Sequence, residues 1–147
     1  MSSPYPEGGP PSGAPGGKTV IGLDSNLGAA LCYWANFLCC AGLVLAIIFL
    51  VTEKENRFVK FHAVQSLFLI ATQIAVGIVV GILGLIVSMV LNMIDLSFVG
   101  WLLVLCLRFL LFFIFIVIWI IAGIKAYGGQ WYKLPLIGQF AWNTVNK

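Results

Sequence analysis

Most of the chain's polar chemistry lies in one stretch, Thr52-Glu-Lys-Glu-Asn-Arg-Phe-Val-Lys-Phe-His-Ala-Val-Gln-Ser66. His62 is the one histidine of the chain, and an imidazole can change charge near neutral pH. Glu53 or Glu55 could assist it, which would make the stretch proton-sensitive. The plainer reading is an interfacial histidine that hydrogen-bonds to Gln65, Ser66 or lipid, and the pattern favours it. A metal centre needs three or four convergent ligands. One His and two nearby Glu fall short, so no metal and no cofactor is expected.

Spacing places this stretch on a helix. Phe58, Phe61, His62 and Gln65 recur at offsets of three and four, on one helical face. Arg57 and Lys60 can reach lipid phosphates. Glu53, Asn56, Arg57, Phe58, Lys60, Phe61, His62 and Gln65 therefore form the candidate interface, read as an amphipathic entry into a membrane helix.

Arg108 is the other unusual residue, a charge inside an apolar run. Buried membrane charges face a bundle interior or snorkel to the headgroups. Asp95 is its nearest candidate partner in sequence; Asn36, Gln73 and Asn92 could contribute if they face inward. Two readings stay open: a polar site within the bundle, or an arginine snorkelling beside Asp95. Cys32, Cys39, Cys40 and Cys106 lie in apolar runs without the paired spacing of a zinc knuckle, so they read as packing residues. Gly77 and Gly81 form a small-xxx-small pair suited to close helix packing or a dimer face. No nucleophile paired with a base, phosphate-cradling loop or dinucleotide fingerprint stands out. The expectation is no catalytic residue and no enzyme. Lysine and arginine are too few for nucleic acid.

The elements that must position these groups follow from hydropathy. The chain has 147 residues, 61% hydrophobic and 9% charged, with a mean hydropathy of +1.06. Soluble domains are about 45–50% apolar and about 25% charged, so lipid is the expected solvent. Long uncharged apolar runs read as membrane helices. The expected fold is all-α: an integral membrane three-helix bundle with spans near 27–51, 63–91 and 100–124. The second run is too long for one upright span, and one tilted helix is favoured over a break at Gly81 or Gly84. Residues 1–20 are rich in Pro and Gly and read as a disordered tail, with no cleavable signal; 21–147 form the membrane domain.

Gly128-Gly129 reads as a helix stop. Leu134 to Asn146 reads as a short C-terminal interfacial helix with Pro135 at its first position. Trp101, Tyr127, Trp131 and Tyr132 suit the headgroup layer. Lys54, Arg57 and Lys60 between spans one and two, and Lys125, Lys133 and Lys147 after span three, would share a side. By the positive-inside rule that side is cytoplasmic, with the N-terminus outside.

Three pieces of the chain carry a family likeness: Gly22-Leu-Asp-Ser-Asn26 with Ala29-Ala-Leu-Cys-Tyr33, then Glu53 to Ser66, then Ala126 to Gly138. Together they resemble the Tic-twenty-like family of small bacterial and archaeal membrane proteins, distantly similar to a chloroplast import component. That resemblance implies a multi-pass protein of the plasma membrane with an accessory role in protein translocation or membrane-protein assembly. The residues themselves support a non-enzymatic component acting through protein or lipid contacts. Its expected partners are the lipid bilayer, other membrane proteins and further copies of itself. The alternative is a small oligomeric transporter or channel, with Arg108, Gln73 and Asn92 lining a path.

Overall fold

A computed structural model describes residues 17–38, 41–54, 56–135 and 137–145. The described residues form five α-helices: α1 (Ser25–Trp34), α2 (Ala41–Thr52), α3 (Arg57–Asn92), α4 (Ser97–Tyr127) and α5 (Ile137–Val145), with a 3-10 turn at Ala35–Phe37. No strand occurs among them; Lys18 and Asp24 form an isolated bridge.

The three-helix expectation is corrected at the first apolar run. It is not one helix but two short ones, α1 and α2, packed against each other. At about 1.5 Å per residue neither 10 nor 12 residues reaches across roughly 30 Å of hydrocarbon. Asn36 makes the break. Its Nδ2 donates to the carbonyls of Cys32 and Tyr33, 2.9 and 3.3 Å away. These carbonyls end α1, and the amide satisfies them where the helix no longer can. Gly42, at the start of α2, fits against Asn36 so closely that a Cβ would strike its backbone nitrogen at 2.6 Å.

The second run is a single helix of 36 residues, unbroken at Gly81 and Gly84. Helices α3 and α4 are both long and apolar enough to cross a membrane. They are joined by a tight turn in which Asp95 takes φ 56°. The Leu96 amide donates to the Leu91 carbonyl, 2.9 Å away, and the Asp95 amide to that of Asn92 at 3.3 Å. This is the double bond pattern of a left-handed cap, with aspartate in the glycine position. Asp95 thus ends α3, and among the described residues it forms no ion pair with Arg108.

Gly128-Gly129 ends α4 as its sequence suggests. Gly129 has φ 70°, and the Gln130 amide reaches the Lys125 carbonyl at 3.0 Å. The C-terminal helix begins at Ile137, so Pro135 stands in the turn before it.

Contacts divide the chain into two units: the described residues up to Leu69 with those from Trp119 on, and Ile70–Ile118. The first unit has a dense core, with Tyr33, Phe49, Phe58, Phe61 and Leu69 among its buried side chains. In this unit hydrogen bonds hold the described segment before α1. Gly17 accepts from the Ser25 amide and hydroxyl, 2.8 and 2.6 Å away, and the Val20 amide donates to Glu53. Residues 1–16, Cys39, Cys40, Glu55, Leu136, Asn146 and Lys147 lie outside the described residues. The second unit leaves Ile74, Ile78, Leu85, Phe109 and Phe113 exposed. Helices apolar on every side belong in lipid.

Glycine tolerance checks these packings. A Cβ on Gly123 would meet the indole of Trp34, with Cδ1 at 2.6 Å and Cε2 at 2.7 Å, whereas a Cβ on Gly77 would meet nothing within 4 Å. Gly123→Ala is expected to cost about 1–3 kcal/mol. Gly77→Ala is expected to stay within about 1 kcal/mol of the parent. Thermal unfolding of both variants in one detergent measures the difference, and equal melting of the two would contradict the packing.

Candidate functional site

The site is built where α3 begins. Asn56 precedes it and its Oδ1 accepts from the Val59 amide, 3.2 Å away, supplying the acceptor that a helix N-terminus lacks. Its Nδ2 donates to the Ser25 hydroxyl, which ties α3 to α1. Glu53 is buried, and its Oε1 accepts from the Val20 amide at 2.6 Å. That carboxylate anchors the segment before α1 and is not a partner of His62.

Phe58, Phe61, His62 and Gln65 share one face of α3, as their spacing implies, and that face is fully buried inside the fold. Its polar members form a chain of hydrogen bonds with one direction. His62 Nε2 lies 3.1 Å from the Gln130 carbonyl. A carbonyl only accepts, so Nε2 carries the hydrogen. In the neutral ring Nδ1 then accepts, and Tyr33 Oη donates to it across 3.1 Å. Tyr33 Oη in turn accepts from Gln65 Nε2 at 3.0 Å. The second hydrogen of that amide goes to the Tyr132 carbonyl at 3.1 Å. Gln65 Oε1 accepts from the Leu134 amide at 3.3 Å. Ser66 donates to the Cys32 carbonyl at 2.6 Å. His62 and Gln65 therefore hold α1 on one flank and residues 130–134 on the other, and Ser66 adds a further tie to α1.

Aromatic rings close around the histidine. Phe58 and Phe61 meet it edge-on, with centroids 4.7 and 5.0 Å away. Trp131 packs on Phe58 and Phe61 at 5.2 and 5.4 Å, and Trp142 from α5 packs on Phe61 and Trp131. The Lys133 ammonium sits 3.9 Å from the Trp142 ring centroid, a cation–π contact. Partial burial there lowers the ammonium pKa from its ordinary value. The Trp131 indole N–H is buried with no hydrogen-bond partner among the described residues.

The remaining candidates lie outside this cluster. Arg57 is exposed and Lys60 half-buried. Arg108 belongs to the second unit, where it and Gln73 line one groove with Gly77; Asn92 is not among the lining residues. Gly77 faces open space, and Gly81 faces the Arg108 guanidinium. Among the described residues no three His, Cys, Asp or Glu groups converge on a metal position.

Comparison with known proteins decides the family. A family model described as the magnetosome magnetite crystal formation protein family matches residues 24–141. The chain belongs to that family. A UPF0132 membrane protein of Methanocaldococcus jannaschii is 38% identical over 125 residues, covering 85% of this chain and 92% of the relative. A second from the same organism is 30% identical, covering 83% and 71%. A UPF0132 membrane protein of Archaeoglobus fulgidus is 32% identical, covering 81% and 93%. No solved structure matches. The chain is thus a member of a membrane-protein family.

These matches overturn the Tic-twenty-like assignment, and the translocation role it implied goes with it. The motifs behind that assignment have a structural explanation. Phe58, Phe61, His62 and Gln65 pack and hydrogen-bond against Tyr33 and residues 130–134, which are the other two motif pieces. Sequence reasoning grouped the pieces but missed that Tyr33 completes the polar cluster. The signal was a lone hydroxyl-bearing ring in an apolar run.

Tyr33→Phe leaves the His62 acceptor and one Gln65 hydrogen without partners. It is expected to lower stability by about 1–3 kcal/mol, read as loss of thermal stability in detergent. In ¹⁵N-labelled protein the His62 ring should carry its hydrogen on Nε2 with Nδ1 bare; hydrogen on Nδ1 alone would reverse the bond direction assigned here.

Proposed function

We propose that this chain is a non-enzymatic component of the cell membrane that acts through protein or lipid contacts. One observation carries the reading. The hydrogen bonds of His62, Gln65 and Tyr33 all run to one another or to the backbone. A catalytic base needs a reachable lone pair aimed at a substrate, and here the imidazole lone pair is occupied by Tyr33. The cluster reads as a device that holds the fold, leaving the exposed groups to act.

Topology supports the same reading. With α3 and α4 as the two crossings, the chain returns to the side it left. Seven of the eight Lys and Arg residues lie before Phe61 or after Ile124. The turn at Met93–Leu96 holds none. The positive-inside rule then puts both termini in the cytoplasm. Counting 27–51 as a third crossing would instead place the N-terminus outside. Arg57, Lys60, Lys125 and Lys133 would sit at the cytoplasmic headgroups.

The family description ties relatives to magnetite crystal formation in magnetosomes. For this chain the proposal adopts the membrane component and not the mineral surface. Only five Asp and Glu residues occur in the chain, few carboxylates for a site that gathers metal ions. The transporter reading keeps one supporting observation, the groove shared by Gln73 and Arg108.

The test pairs in-cell photo-crosslinking with flux. Probes belong at exposed Arg57, Phe140 and Arg108, because Phe58 and His62 are buried. The expected outcome is reproducible capture of a particular protein or lipid, with no ion-selective leak from liposomes holding the purified chain. Selective flux, lost in Arg108→Leu, would replace this reading with the transporter.

A further inference from the structure

The Ile70–Ile118 unit carries a feature that the polar cluster does not use. Along the seam of α3 and α4, two grooves meet at one residue. A groove of about 480 Å³ is lined by Gly81, Gly84, Ser88, Trp101, Val104 and Arg108, among others. A second, of about 260 Å³, is lined by Gln73, Gly77, Phe112, Phe115 and Arg108, among others. Glycine leaves the floor open at Gly77, where a Cβ would meet nothing within 4 Å, while Val104 packs against Gly84, 2.9 Å from where its Cβ would stand. A Cβ on Gly81 would stand 3.4 Å from Arg108 Nη2. Arg108 is exposed, and among the described residues it has no ion-pair partner.

A cation in an apolar groove at this depth requires an anion or water. Trp101 suits the headgroup layer, and Arg108 lies seven residues further along α4, roughly 10 Å at about 1.5 Å per residue. A guanidinium can snorkel across much of that distance. Among the described residues no carboxylate lies there. The chain's acidic residues are Glu7, Asp24, Glu53, Glu55 and Asp95. Asp95 is the nearest along α4, and it lies beyond Trp101 in the turn. A second copy in the same orientation would present its described carboxylates, Asp24, Glu53 and Asp95, at the same levels, away from Arg108. A phospholipid can supply the anion, because it joins an anionic phosphate to apolar tails.

We propose that the α3–α4 seam is a binding groove for one anionic phospholipid, whose phosphate pairs with Arg108 and whose acyl chains lie over the glycine-floored grooves. Gln73 and Ser88 flank the cation along the grooves. The proposal rests on the membrane embedding of the chain, not on its accessory role.

The test uses the full chain in detergent with phosphatidylglycerol or phosphatidylcholine, read by native mass spectrometry. A photoactivatable phosphatidylglycerol then maps the attachment site. The basic residues near the ends of α3 and α4 also attract anionic lipid, so Lys60→Gln/Lys125→Gln serves as the control background. In that background phosphatidylglycerol should be preferred roughly tenfold, the scale of a charge-assisted phosphate contact, with cross-links in 78–88 and 101–108. Arg108→Gln should bring the preference near unity. Gly77→Leu, whose side chain enters open space, should reduce lipid retention while Arg108 stays in place. A preference that survives Arg108→Gln, cross-links confined to other residues, or a dimer displacing lipid from the seam would each overturn the proposal.

Discussion

The first unit depends on the direction of one hydrogen-bond chain. The carbonyls of Gln130 and Tyr132 can only accept, which fixes the donors facing them on His62 and Gln65. With His62 Nε2 committed, Nδ1 must accept from Tyr33, and Tyr33 must accept from Gln65. No member can turn without orphaning a neighbour, and orphaned polar groups are costly where water is scarce. The chain therefore specifies which faces of α1 and α3 meet. It also fixes where residues 130–134 lie, 67 to 69 positions from their partners in α3.

That constraint explains the shape of the sequence around it. The residues before α1 have a polar anchor in Glu53, and α3 has a cap in Asn56 that also holds Ser25. The Gly129 cap then turns the chain after α4, so that the Gln130 carbonyl can face His62. Aromatic rings from three segments fill the space around the imidazole. Burial of large rings supplies the apolar share of this core, and the directional bonds choose one arrangement among those that hydrophobic packing alone would allow.

Legibility followed the range of each signal. Hydropathy is local and additive, so α3 and α4 were readable from composition, as was the helix stop at Gly128-Gly129. That Phe58, Phe61, His62 and Gln65 share one face of α3 was readable because helical spacing is also local; that the face is buried rather than interfacial was not. The break in the first apolar run was not. Asn36 is one polar residue in an otherwise apolar stretch, and its action depends on which carbonyls it meets. Asp95 misled in the same way: its charge suggested a partner for Arg108, while its backbone fills a left-handed cap. Tyr33 was invisible as a site residue because its partners lie in α3, about thirty positions away in sequence.

The motif that looked most like function turns out to be the one most committed to structure. Phe58, Phe61, His62 and Gln65 are residue types that carry chemistry elsewhere, yet burial and reciprocal bonding leave them little contact with anything outside the fold. A likeness drawn through such residues transmits a way of packing α1, α3 and the segment after α4, and a shared packing solution is compatible with unrelated roles. Arg108 shows the converse. It belongs to no recognisable motif, but it is exposed and lacks an ion pair among the described residues. A charge in that condition within an apolar segment is costly unless an anion or water meets it, and no carboxylate among the described residues does so.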